Sequence, residues 1–120
     1  MTRHLKPPSQ SLSRKILRPV PYKERFPAGR LKPPVGVIPG DVRSLPELHL
    51  YLEPDEASLP GIRLEALPAW IEKSIGDTDL AESIRTVVAD QKNYVDGCLK
   101  VHELLGQRLD QARSVMGESE

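Results

Sequence analysis

At 120 residues the chain has room for one domain, and its large apolar side chains are few: one Phe, one Trp and three Tyr. The formal charge is zero, yet residues 1–44 carry ten Lys or Arg against two acids and residues 45–120 carry seven against fifteen, so a +8 segment is joined to a −8 body. No apolar run reaches the roughly 18 residues of a membrane-spanning helix, the opening residues lack the apolar centre of a secretory signal, and the lone Cys98 excludes an internal disulfide. The location these features imply is intracellular or within a particle.

All twelve prolines lie at or before Pro68, which divides the chain by composition. Residues 1–40 read as an extended, basic, Pro-rich arm. The tetrapeptide Leu-Lys-Pro-Pro occurs at residues 5–8 and again at 31–34, and each copy is biased towards a short polyproline II segment carrying a cation. Between the copies, one or two helical turns fit around residues 13–17 before Arg18-Pro19 stops them. Residues 26–29 and 38–40 read as turns. The arm has no core of its own, but Leu5, Ile16, Leu17, Tyr22, Phe26, Val35, Val37 and Ile38 would anchor it on another surface.

Residues 41–76 form an irregular linker. Leu48, Leu50 and Leu52 alternate with His49 and Tyr51 and predict a short strand over 47–53, bracketed by Pro46 and Pro54. Ile62, Leu64 and Ala66 alternate in the same way, so the two pieces can pair as a short hairpin through the sequence PDEASLPG. Residues 67–76 read as a short helix with Pro68 in its first turn and Gly76 at its stop. Trp70 is expected to dock this helix on the one that follows.

Residues 77–116 predict one long helix, followed by a tail at 117–120. Asp79 is the expected N-cap, with Glu82 three residues on. From there Leu80, Ile84, Val87, Gln91, Tyr94, Cys98, Val101, Leu105, Arg108, Ala112 and Val115 step by four and three, a heptad-like seam of coiled-coil type. Such a rod is roughly 55 Å long at 1.5 Å per residue. Covering its stripe calls for more apolar surface than is expected from the rest of the chain, so a partner chain is expected along Leu80, Ile84, Val87, Tyr94, Cys98, Val101, Leu105, Ala112 and Val115. A break near Gly97, giving two helices folded back on each other, is the structural alternative.

Chemistry is sparse. Cys98 and His102 share a helical face at a spacing that suits a metal or a nucleophile–base pair, but no second pair of ligands accompanies them. No phosphate-binding glycine loop and no nucleophile motif occurs. No enzyme activity, metal or cofactor is expected. Phosphate contact through Arg14, Lys15, Arg18, Lys23, Arg25 and Arg30 would be weak, non-specific and salt-dependent, and Phe26 with Tyr22 is the only aromatic support.

Leu67-Pro68-Ala69-Trp70, followed by Tyr94-Val95-Asp96-Gly97-Cys98-Leu99, resembles the soluble parts of phage outer-membrane spanin lipoproteins, across about residues 45–112. Those proteins carry a signal sequence and a lipid-attachment cysteine, and neither precedes the pattern here. The resemblance implies a lysis factor as a third function.

The expected class is therefore mainly α: an extended arm, a short hairpin, a short helix and a long amphipathic helix. The expected function is a non-enzymatic accessory subunit of a multi-protein assembly, a virion for example. Its helix would join a bundle or oligomer and its arm would lie on a neighbour. A small nucleic-acid-associated regulator that dimerises through the helix is the alternative.

Overall fold

The computed structural model describes residues 5–54 and 58–117. The chain is mainly helical with a small antiparallel sheet, and it wraps around one core. In order, the elements are α1 (Gln10–Leu17), β1 (Phe26–Lys32), β2 (Gly36–Val42), α2 (Leu45–Tyr51), β3 (Leu59–Pro60), α3 (Leu67–Trp70), α4 (Thr78–Ala89) and α5 (Tyr94–Val115). Helix α3 runs on as a wider π-type turn over Ile71–Ile75, which ends where Gly76 adopts φ +85°.

The helix starts are set by side-chain caps. Ser9, Ser44, Asp77 and Asn93 each accept a hydrogen bond from the main-chain N–H three residues on. At α2, Glu47 also reaches back to the N–H of Arg43 at 2.9 Å. At α5, Asp96 does the same to the N–H of Lys92 at 3.0 Å. These reciprocal caps fix two chain reversals, at residues 43–44 and 92–93.

The sheet has the order β2-β1-β3. Its hairpin aligns Phe26 with Val42 and Lys32 with Gly36, and the second Leu-Lys-Pro-Pro supplies the connecting turn. Gly36 closes that turn at φ +103°. β3 adds Leu59 opposite Leu31 and Pro60 opposite Arg30. The N–H of Gly61 donates to the carbonyl of Gly29 at 2.7 Å. The main-chain groups of Gly29 therefore face β3, and its partner Pro39 turns its own towards the free edge of β2. A proline with no N–H to offer blunts that edge.

The core draws on the whole chain. Leu5, Ile16, Phe26, Val42, Leu45, Leu48 and Leu52 join Ile62, Leu64, Leu67, Ile71 and Ile75 against Leu80, Ile84, Val101, Leu105 and Leu109. Trp70 meets Phe26 with ring centroids 5.4 Å apart, and its indole N–H donates to the carbonyl of Glu24 at 2.5 Å. A buried ion pair crosses this core. Arg108 donates to Asp77 from Nε at 2.7 Å and from Nη2 at 2.8 Å, and both side chains are almost fully enclosed. Asp77 caps α4 as well, accepting from the N–H of Leu80 at 3.1 Å.

Arg108 also clamps the start of the chain. Its Nη1 donates to the carbonyl of Lys6, Gln111 donates to the carbonyl of Leu5 at 2.8 Å, and the N–H of Lys6 donates to Asp79 at 3.0 Å. The first Leu-Lys-Pro-Pro is thus a strap across α4 and α5, with Leu5 and Pro8 buried beneath it.

Several expectations are corrected. The rod over 77–116 is two helices, as the alternative reading had it, with the break at residues 90–93 a few positions ahead of Gly97, and the cap of α4 is Asp77 rather than Asp79. Gln91 is the polar seam position that marks the break. Gly97 lies within α5 at a close approach, where a Cβ would strike the Gln91 amide and come 2.9 Å from Leu64 Cδ1. The strand over 47–53 is helix α2, because Ser44 and Glu47 cap its start and the helix buries Leu45 and Leu48. Residues 62–66 do not pair with it, since β3 pairs with β1 instead. Residues 26–29 and 38–40, expected as turns, lie in β1 and β2. Residues 5–40 are not an extended arm but strap, helix and hairpin, and residues 1–4 of the expected arm lie outside the described residues. Residues 55–57 of the expected hairpin connection and 118–120 of the tail lie outside the described residues.

Replacing Arg108 by Met leaves the Asp77 carboxylate buried and unpaired. The expected loss is about 3–5 kcal/mol of unfolding free energy, read from urea denaturation.

Candidate functional site

The seam expected to meet a partner faces inward. Leu80, Ile84, Val101, Leu105 and Ala112 are fully buried in the chain's own core, Cys98 is nearly so, and Val87 packs at its margin. Tyr94 and Val115 remain at the exposed limit, each 36% accessible. The cover comes from α1, α2 and α4, which all pack on α5. The apolar budget that looked too small suffices because the stripe is folded in two and the front of the chain is itself structured.

The arm residues divide into two groups. Phe26 is buried against Trp70. Arg30 donates to Ser58 Oγ at 3.0 Å and to the carbonyl of Tyr51 at 2.6 Å, tying β1 to the end of α2. Arg25 pairs with Asp41 at 3.4 Å and lies over the Tyr22 ring. Arg14, Lys15, Arg18 and Lys23 stay exposed.

An apolar surface lies on the sheet; of its residues, Val37 was expected as an anchor and Leu31 and Leu59 were not. Leu31 is paired with Val37 on one side and Leu59 on the other, so the three side chains project from one face in a single row. They are 40%, 68% and 42% exposed. The row leads into an apolar cavity of about 420 Å³, where Leu59 and Pro60 face Val95, Cys98 and Leu99 of α5, with Leu52 and Pro54 closing the side. The available signal was the alternation of Val35 and Val37 beside Leu31, which the prolines and glycines of this segment masked.

Tyr94 fixes one wall of the cavity. Its hydroxyl accepts from the N–H of Ile62 at 3.0 Å and bonds the carbonyl of Pro60, and burial pushes its pKa up. Burial likewise pushes up the Cys98 thiol, with the Tyr94 hydroxyl opposing that shift. The upward shift favours the protonated thiol at neutral pH. His102 does not join Cys98 in a ligand set. Its ring stacks on His49 of α2, with centroids 4.1 Å apart and planes 11° from parallel. Among the described residues no three of His, Cys, Asp and Glu converge on a metal-sized point, and no helix is long and apolar enough to cross a membrane.

Comparison of the chain with protein-family models, with curated proteins and with solved structures finds no match. The resemblance to spanins stands on residues 67–70 and 94–99 alone.

Replacing Tyr94 by Phe removes the acceptor for the Ile62 N–H. It is expected to lower stability by about 1–3 kcal/mol, read from the thermal unfolding midpoint.

Proposed function

We propose that the chain is a non-enzymatic structural subunit that associates with further copies of itself through the exposed sheet face, as a component of a larger assembly. The observation that carries this reading is the in-register row of Val37, Leu31 and Leu59, open to solvent and continuous with the apolar cavity. A flat apolar patch of this kind is self-complementary about a two-fold axis. Pro39 on the free edge of β2 favours contact by side-chain faces over strand addition.

Charge supports a second copy as the occupant. The chain has no net charge to keep copies apart. Its basic first 44 residues include the hairpin, while the rest of the chain is acidic. A neighbour turned by a half-rotation brings acidic body towards basic hairpin. Attraction of this kind weakens with salt as screening shortens its range.

A second reading has narrower support. Arg14, Lys15, Arg18 and Lys23 are exposed and have no ion-pair partner among the described residues, so contact with a phosphate backbone is left with four cations. Arg25 and Arg30 are engaged within the fold.

Light scattering is expected to give a mass above one chain as the concentration rises towards about 100 µM, a range that detects micromolar association. Leu31→Asp and Val37→Asp are expected to return the mass to a single chain with unchanged helix content. A wild-type chain that stays monomeric throughout would reject the first reading. Under the second, binding to generic duplex DNA should fall with a log–log salt slope near −3 to −4, since each neutralised phosphate contributes about −0.9.

A further inference from the structure

The cavity lies where α2 ends and α5 begins, and one helical turn back on each helix stands one member of the stacked histidine pair. On α2, His49 precedes Leu52; on α5, His102 follows Cys98; Leu52 and Cys98 both line the cavity. The two rings thus add a polar contact between α2 and α5 beside the apolar packing of Leu48 and Leu52 on Val101 and Leu105. Nε2 of His102 is buried and has no hydrogen-bond partner among the described residues. Gly106 is notched to admit His49, since a Cβ at that position would come 3.2 Å from its Nε2. If both rings carried a charge, two cations would be held face to face with centroids 4.1 Å apart.

We propose that the His49–His102 stack is a proton-operated latch that keeps α2 on α5 at neutral pH and releases it on acidification, opening the apolar cavity. Its functional meaning rests on the contact face proposed above, because the cavity continues that face. The charged groups around the latch do not cancel the effect. His49 is held below its usual value near 6.5 by burial first and by His102 second, and Arg113 of α5 adds to both. Glu53 at the end of α2 and Asp110 of α5 act in the opposite sense and are outweighed. Helix α1, packed on the same helices, carries Arg14 and Lys15 on its exposed side and has no acid. β2, also against α2, contributes Asp41, which is paired with Arg25. Since the folded chain favours neutral His49, the stability it lends is complete above the usual histidine value and is lost as pH falls through the lowered one.

Cys98, the single thiol, reports the opening directly. In the full-length chain its rate of reaction with 4,4′-dithiodipyridine, corrected against a free model thiol, is expected to rise about tenfold between about pH 7.5 and pH 5.5. Far-UV circular dichroism should hold constant over the same range. His49→Gln, His102→Gln and the double variant, which cannot become cationic rings, are expected to flatten the profile, while His4→Gln leaves it as in the wild type. A flat wild-type profile overturns the latch. So does a rise that persists in the double variant, or one that tracks loss of helix signal. The readout needs no second copy: a flat profile from a chain that self-associates removes the latch and leaves the contact face, and a rising profile from a strict monomer does the reverse.

Discussion

The buried pair of Arg108 and Asp77 is the constraint around which the molecule is arranged. An isolated charge in this core would be costly, so each must find the other and each must have its remaining hydrogen bonds met. Asp77 meets its share by capping α4, and Arg108 meets its share by holding the main chain of the strap. The result couples three distant parts of the sequence. The connection between α3 and α4, the middle of α5 and the first described residues must assemble in one geometry or leave a charge stranded.

That coupling explains why the two Leu-Lys-Pro-Pro copies behave so differently. The first is fixed by the clamp, with Leu5 driven into apolar surroundings beside α5. The second has no such partner: its Leu31 and Lys32 end β1, and its Pro33 and Pro34 enter the turn to β2, with Val35 left exposed. The same four residues are a strap in one place and a strand end with a turn in the other because the environment, not the tetrapeptide, decides. The hairpin in turn displays the apolar row, and Arg30 ties its base to α2 and hence to the cavity wall. The histidine stack sits on the other side of that wall.

The helical character of residues 67–89 and 94–115 was legible from the sequence through its apolar spacing and the stop at Gly76, while the cap at Asp77 and the break at residues 90–93 were not. The stripe through Leu80, Ile84, Val101 and Leu105 was read correctly as a surface needing cover, but the cover was sought outside the chain. Two polar interruptions in that stripe held the missing information. Gln91 marked the turn, with Asn93 and Asp96 forming the cap that follows, and Arg108 marked the ion pair. A polar residue in an apolar seam can be a break, a register device or a buried charge, and spacing alone does not separate these. The front of the chain was less legible. Its prolines and glycines argue against regular structure locally, and only long-range pairing with β3 and packing of Phe26 on Trp70 overrule them. Helix α2 was misread because Leu48, Leu50 and Leu52 satisfy period two by chance, while the cap formed by Ser44 and Glu47 gave the better signal. The candidate site was legible only in pieces: Tyr94, Cys98 and Val37 stood among the expected contact residues, but Leu31 and Leu59 did not, since the row exists only once the strands are in register.

The strap has a bearing on how the protein is made. Its bonds join Lys6 to Arg108 and Leu5 to Gln111 across 102 and 106 positions, so a nascent chain emerging amino-terminus first has nowhere to dock its leading residues until α5 has been synthesised. Until then the greasy side of α1 and the Asp77 carboxylate wait without their counterparts. The strap is accordingly among the most non-local parts of the fold, and its hydrogen bonds cannot form before Arg108 and Gln111 are in place.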